Sequence, residues 1–204
     1  MRKKSGISHQ KEFKLNKVSE KLEMSLFDDN LLFLHSDFIS GQFDIIDSTF
    51  SVSVEGLIMT FECASSNNQT ISQQWYMPSV EAKSLTDFLK LIGVPITPIE
   101  KIKTKESHDL LNTTTICGNL ATIDLTLKSP DILLRIKTDF CHTLINRDQV
   151  GINILKHNRT HLEFHLMNCG QTYQKWMMIE SDFTPLKIYF RKMGFPVPDI
   201  PVIT

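Results

Sequence analysis

His157, His161, His165 and Cys169 recur at intervals of four residues. On a helix they would share one face, and imidazoles with a thiolate make a zinc-binding donor set. The local pattern is that of a strand instead. Leu162, Phe164 and Leu166 alternate with His161, Glu163 and His165, and a period of two marks a strand with one buried face. In an extended chain His157 lies about 13 Å from His161, so the histidines read as a polar strand face and no metal site is predicted.

Two carboxylates, Glu62 and Glu163, stand 101 residues apart and read as equivalent positions of an internal duplication. Carboxylate pairs perform acid–base hydrolysis when held about 5–10 Å apart, but no substrate groove is legible around these two. Cys141 and His142 are adjacent; on a strand their side chains point to opposite faces, which makes a poor thiolate–imidazole pair. The chain carries no phosphate-binding loop, dinucleotide fingerprint or nucleophile elbow. No catalytic residue and no cofactor is therefore expected, and the reading is non-enzymatic.

The elements that would position such residues are laid out twice. Gln73, Trp75, Met77, Leu85, Gly93, Pro95 and Ile99 recur as Gln174, Trp176, Met178, Leu186, Gly194, Pro196 and Ile200 without a gap. Upstream, Thr60-Phe61-Glu62-Cys63 falls on His161-Leu162-Glu163-Phe164, and Asn30-Leu31-Leu32-Phe33 on Asp131-Ile132-Leu133-Leu134. What is duplicated is architecture: Trp, Gly, Pro and apolar spacing. The spacing predicts short strands at about 22–27, 31–35, 42–46, 49–55, 57–63 and 71–77. Then the period changes, with Ala82, Leu85, Phe88, Leu89 and Ile92 on one helical face. In the second copy Phe183, Leu186, Tyr189, Phe190 and Met193 take that face, with Thr184 as the expected cap and Pro185 at the first helical position. Gly93 and Gly194 should end the helices in the left-handed conformation.

The expected class is α+β, a tandem duplication of an antiparallel sheet packed by one helix. The expected organisation is a basic N-terminal tail with a short helix over 1–21, a first α+β repeat over 22–99, a connector over 100–122, and a second α+β repeat over 123–204 ending in a Pro-rich arm.

The formal net charge of −1 hides a split: residues 1–21 hold seven Lys/Arg against two Glu, so the remaining body is acidic. An acidic body argues against a nucleic-acid platform. No apolar run approaches the ~20 residues of a membrane span, and four scattered cysteines do not form a disulfide framework. A cytoplasmic protein with reduced thiols and no direct membrane insertion is expected. The Pro-stiffened arms, Val94 to Ile99 and Phe195 to Ile203, are candidate binding segments, because pre-ordering lowers the entropy lost on docking. Phe195, Val197 and Ile200 are the expected partner-binding residues.

From Leu22 through the Trp75/Trp176 repeat to the Pro196–Pro201 end, the whole chain resembles the LvgA-like adaptors of the Legionella Dot/Icm type IV secretion system. The resemblance implies an accessory subunit that joins IcmS and IcmW on the coupling protein DotL and helps recruit secreted effectors. It carries no individual site residue. Two other readings stand beside it: a small immunity protein that neutralises a toxin, and a metal-dependent hydrolase resting on the histidines alone.

Overall fold

Alternating side chains, one set apolar and one polar, make most of this chain into strands with one face turned inward. The computed structural model describes residues 7–15, 20–65, 71–98, 109–117, 122–129, 133–146, 151–156, 161–168 and 171–195. The first half contains β1 (Ile7–Lys14), β2 (Lys21–Phe27), β3 (Leu31–His35), β4 (Ile39–Asp44), β5 (Ser48–Glu55), β6 (Ile58–Ser65), β7 (Ile71–Pro78), α1 (Ala82–Leu91) and β8 (Ile96–Pro98). The second contains β9 (Asp109–Cys117), β10 (Thr122–Ser129), β11 (Leu133–Lys137), β12 (Cys141–Asn146), β13 (Gly151–Lys156), β14 (His161–Asn168), β15 (Gln171–Ile179) and α2 (Phe183–Lys192).

Each half contributes to both of two sheets. The first runs β1-β2-β3-β4-β15-β14-β13 and the second β8-β5-β6-β7-β12-β11-β10-β9. All neighbours are antiparallel except β5 and β8. The halves join at two matching seams: β15 on β4, with Trp176 opposite Ile39 and Gln174 opposite Gly41, and β7 on β12, with Trp75 opposite Cys141 and Gln73 opposite Thr143. A tight turn precedes each seam. Ser36 Oγ accepts the Ile39 amide at 3.2 Å and Thr138 Oγ1 accepts the Cys141 amide at 2.9 Å. The carbonyls of Phe38 and Phe140 then accept from Met177 and Tyr76 across the seams.

The core lies between the sheets. Phe43 of the first meets Phe50 of the second with ring centroids 6.4 Å apart, and Trp75 and Trp176 are both fully buried. Each indole N–H needs an acceptor there, and finds one two residues back along its own strand: Gln73 Oε1 at 3.0 Å and Gln174 Oε1 at 3.3 Å. A Cβ on Gly41 would stand 2.3 Å from Gln73 Oε1, so only glycine lets the Gln73 amide reach across from the facing sheet. Helix α1 packs on β5 and β8 and sets Phe88 against Phe13 of β1, centroids 6.0 Å apart, which closes one open side of the sandwich. Helix α2 packs on β9. Both helices end on glycines at positive φ, 76° at Gly93 and 80° at Gly194.

The α+β class holds, but the expected duplicated sheet packed by one helix does not: two sheets and two helices form the structure. Neither sheet is one repeat, because strands of each half bury their apolar faces against strands of the other. Residues 7–14, read as tail and short helix, form β1 and bury Phe13; the connector contributes β9. Alternation hid there among lysines and threonines. Helix α2 starts at Phe183 after a short 3-10 turn at Glu180–Asp182, so Thr184 does not cap it and Pro185 is its third residue. The ungapped register also fails locally. Phe61 pairs with Trp75 and Phe164 with Trp176, which aligns Glu163 with Thr60 and His165 with Glu62. By pairing, Val52 corresponds to Ile154 and Phe61 to Phe164, so β13 is displaced by one residue and β14 by two.

Candidate protein-binding surface

Strands β5 and β6 are joined by the two-residue loop Gly56-Leu57, with Glu55 opposite Ile58. Gly56 has φ 59° and nothing within 4 Å of where a Cβ would be, so the glycine answers to backbone geometry. Positive φ at the first central position of such a loop matches the right-handed twist of the flanking strands. The loop thrusts Leu57 outward, 85% exposed. The Ser79 amide donates to the Leu57 carbonyl at 2.9 Å, which ties the 3-10 turn Ser79–Glu81 to the hairpin and brings up Val80, 84% exposed. Val54 and Ile58 at the strand ends are also exposed. Four exposed apolar residues thus gather at one end of the sandwich.

Beside this tip the outer face of the second sheet is hollowed. About 450 Å³ is bounded by Glu55, Ile58, Thr60 and Tyr76 together with Lys137 at the end of β11 and Asp139 in the turn before β12. Tyr76 Oη donates to Gln74 Oε1 at 3.3 Å. Burial, with the nearby Cys141 thiol and the Glu62 carboxylate, pushes the phenol's pKa up against the opposing pull of Arg135, so the ring stays neutral. An apolar rim beside a polar recess holding a tyrosine suits a protein partner, since aromatic anchors and excluded water dominate such interfaces.

The second half acts as an internal control. By strand pairing the counterpart of Val54 is Lys156, and that of Ile58 is His161. The loop there is His157-Asn158-Arg159-Thr160, and Ser181 takes the place of Val80. At the counterparts within the described residues, Lys156, His161 and Ser181, the same backbone elements carry polar residues, so those elements do not require apolar ones. Ordinary sequence inspection missed the site because exposed apolar residues are common on any surface. The readable signal was the contrast between copies, available only in the gapped register.

The residues that could do chemistry are placed elsewhere and not together. His165 Nε2 lies 2.9 Å from Glu163 Oε2 and Lys175 Nζ 3.4 Å from Glu163 Oε1. Burial works against ionising Glu163, but His165 and Lys175 outweigh it and hold the carboxyl below its ordinary range. This is the ion-paired polar face expected from the alternation. His157 and Cys169 lie outside the described residues, and among those described no group of three or more acidic, His or Cys side chains is placed to hold a metal ion. Cys141 is buried, whereas His142 on the same strand faces the other way. Cys63 and Cys141 are free thiols; burial pushes both pKa values well up, which disfavours the reactive thiolate. Phe195 is only 4% exposed and packs edge-on against Phe190, centroids 5.4 Å apart. Val197 and Ile200 lie outside the described residues.

Among the described residues no helix is long and apolar enough to cross a membrane. No protein family matches the sequence, and no curated protein matches it.

Proposed function

We propose that the protein is a non-enzymatic adaptor that binds a protein partner through the β5–β6 hairpin tip and the hollow beside it. The observation that carries this reading is the asymmetry between the copies: Val54, Leu57, Ile58 and Val80 are apolar and exposed where the equivalent positions of the second half are Lys, polar loop residues, His and Ser. Exposed apolar residues gathered at one site, against a fold that does not need them, favour an interaction surface. In the finer reading, which rests on whole-chain resemblance, the protein is a cytoplasmic accessory subunit of a type IV secretion coupling complex that contacts IcmS, IcmW and DotL and aids effector recruitment. Size-exclusion chromatography of the purified protein with an IcmS–IcmW–DotL complex tests that reading: co-elution supports it. Separate elution, with retrieval of one toxin from the native host, would assign the protein to the immunity class instead.

A further inference from the structure

The apolar core encloses three polar side chains at its centre: Gln73, Gln174 and Thr143 are each at most 1% exposed. Both glutamines use their oxygen on an indole, Gln73 Oε1 accepting from Trp75 and Gln174 Oε1 from Trp176. Their nitrogens are left over. Gln73 Nε2, Gln174 Nε2 and Thr143 Oγ1 meet no partner at hydrogen-bonding distance and angle, whereas buried polar groups are ordinarily paired.

The three groups converge. Gly41 faces Gln174 across one seam and Thr143 faces Gln73 across the other, and side chains so placed have Cβ atoms about 5 Å apart. Gln73 Nε2 lies 3.2 Å from where a Cβ of Gly41 would stand, so the Gln73 amide crosses between the sheets into the place beside Gln174. Gly41 and Thr143 hold matching positions, each two residues past the one that faces a tryptophan, Ile39 and Cys141. One half therefore makes room at this point and the other supplies a hydroxyl. Burial raises the Cys141 pKa and the Thr143 hydroxyl opposes it, as a hydrogen turned toward the sulfur does. The Thr143 oxygen is then left as an acceptor.

We infer that the protein binds a single internal water molecule at this point, which accepts from Gln73 Nε2 and Gln174 Nε2 and donates to Thr143 Oγ1. Two amide nitrogens are both donors and do not satisfy each other, whereas water offers a lone pair to each and a hydrogen to the hydroxyl. Internal waters make about three such bonds to buried groups. A neutral ligand fits the surroundings. The inner-face neighbours of the two glutamines in their sheets are Cys63, Thr143, Leu166 and Gly41, and an ion among them would lose its hydration without a counter-charge. The bridge ties the two sheets and the two halves together, because Gln73 belongs to the first half and Gln174 and Thr143 to the second. It stands independently of the adaptor reading.

The test is NMR on the full chain, following cross-relaxation between water and the side-chain amide protons of Gln73 and Gln174, with deuterium relaxation dispersion of the solvent to count long-lived internal waters. Contacts of the slow-tumbling sign are expected at both glutamines. Thr143→Val keeps the shape of the side chain and removes the acceptor, along with the hydroxyl proton whose exchange with solvent imitates bound water. Gln174→Leu removes one donor. A dispersion amplitude lowered by the contribution of a single water in either variant, with loss of the water contact at Gln73, supports the bridge. Because Gln174→Leu also strands the Trp176 indole, the contacts in the unaltered chain decide the matter if that variant does not fold. Absence of water contacts at both glutamines in the unaltered chain, or a dispersion amplitude unchanged in both folded variants, would overturn the site.

Discussion

Four side chains at the core show how polarity is tolerated at the centre of this molecule. Trp75 and Trp176 each direct an indole N–H to a glutamine two residues earlier, so the Gln-x-Trp spacing is a hydrogen-bonding unit as well as a packing one. Trp75→Ala and Trp176→Ala should each cost ~3–5 kcal/mol in denaturant unfolding, the range for emptying a large aromatic site. Gln73→Leu leaves a buried indole donor unpaired and should cost about 1–3 kcal/mol. Glu20 makes a pH-dependent prediction. Because its folded pKa is raised, its contribution to stability is fully present below the ordinary carboxyl range and is lost as pH rises through the raised value. Glu20→Gln should raise the melting temperature at neutral pH, with the gain vanishing below about pH 4. A gain that persists in acid would mean that the glutamine acts through packing.

At the scale of elements, the β5–β6 hairpin is the part of the fold that its own architecture leaves over. Leu57→Asp and Val80→Asp lie at positions 85% and 84% exposed and should change stability by no more than about 0.5 kcal/mol, while Gly56→Val strains a φ of 59° and should destabilise by about 1–2 kcal/mol or more. Circular dichroism melts separate these outcomes. Much of the element pattern was legible beforehand. The strands around Leu31, Phe50, Phe61 and Trp75 and the apolar face of α1 followed from periods of two and 3.6, and the helix-ending glycines from their need for positive φ. The edge strand β1 was not legible, because Lys11, Glu12 and Lys14 mask the alternation of Phe13 and Leu15. The correct register of β14 was not legible either, because loop lengths in the two copies compensate and an ungapped match looks sound.

The whole molecule is interleaved. Residue types report which face of a strand is buried, but not which strand pairs with it, so the sequence could show a duplication without showing that the copies share their sheets. One consequence is cooperative folding: the seams β4·β15 and β7·β12 make each half incomplete alone. Fragments 1–104 and 105–204 should each lack a cooperative melt and recover one on mixing; two independently melting fragments would contradict the interleaving. At the hairpin tip Val54, Leu57, Ile58 and Val80 of the first half are exposed and apolar at one end of the sandwich. The most direct test compares the native partner's affinity for the full chain, for a Leu57→Asp/Val80→Asp variant, and for the mirror-site variant Ser181→Asp, all checked for unchanged melting. If the tip is the binding surface, the first variant loses about tenfold or more in affinity, as for removal of interface hot spots, and the second binds near-natively. Equal affinity across all three, or a loss confined to the mirror site, would contradict this role for the tip.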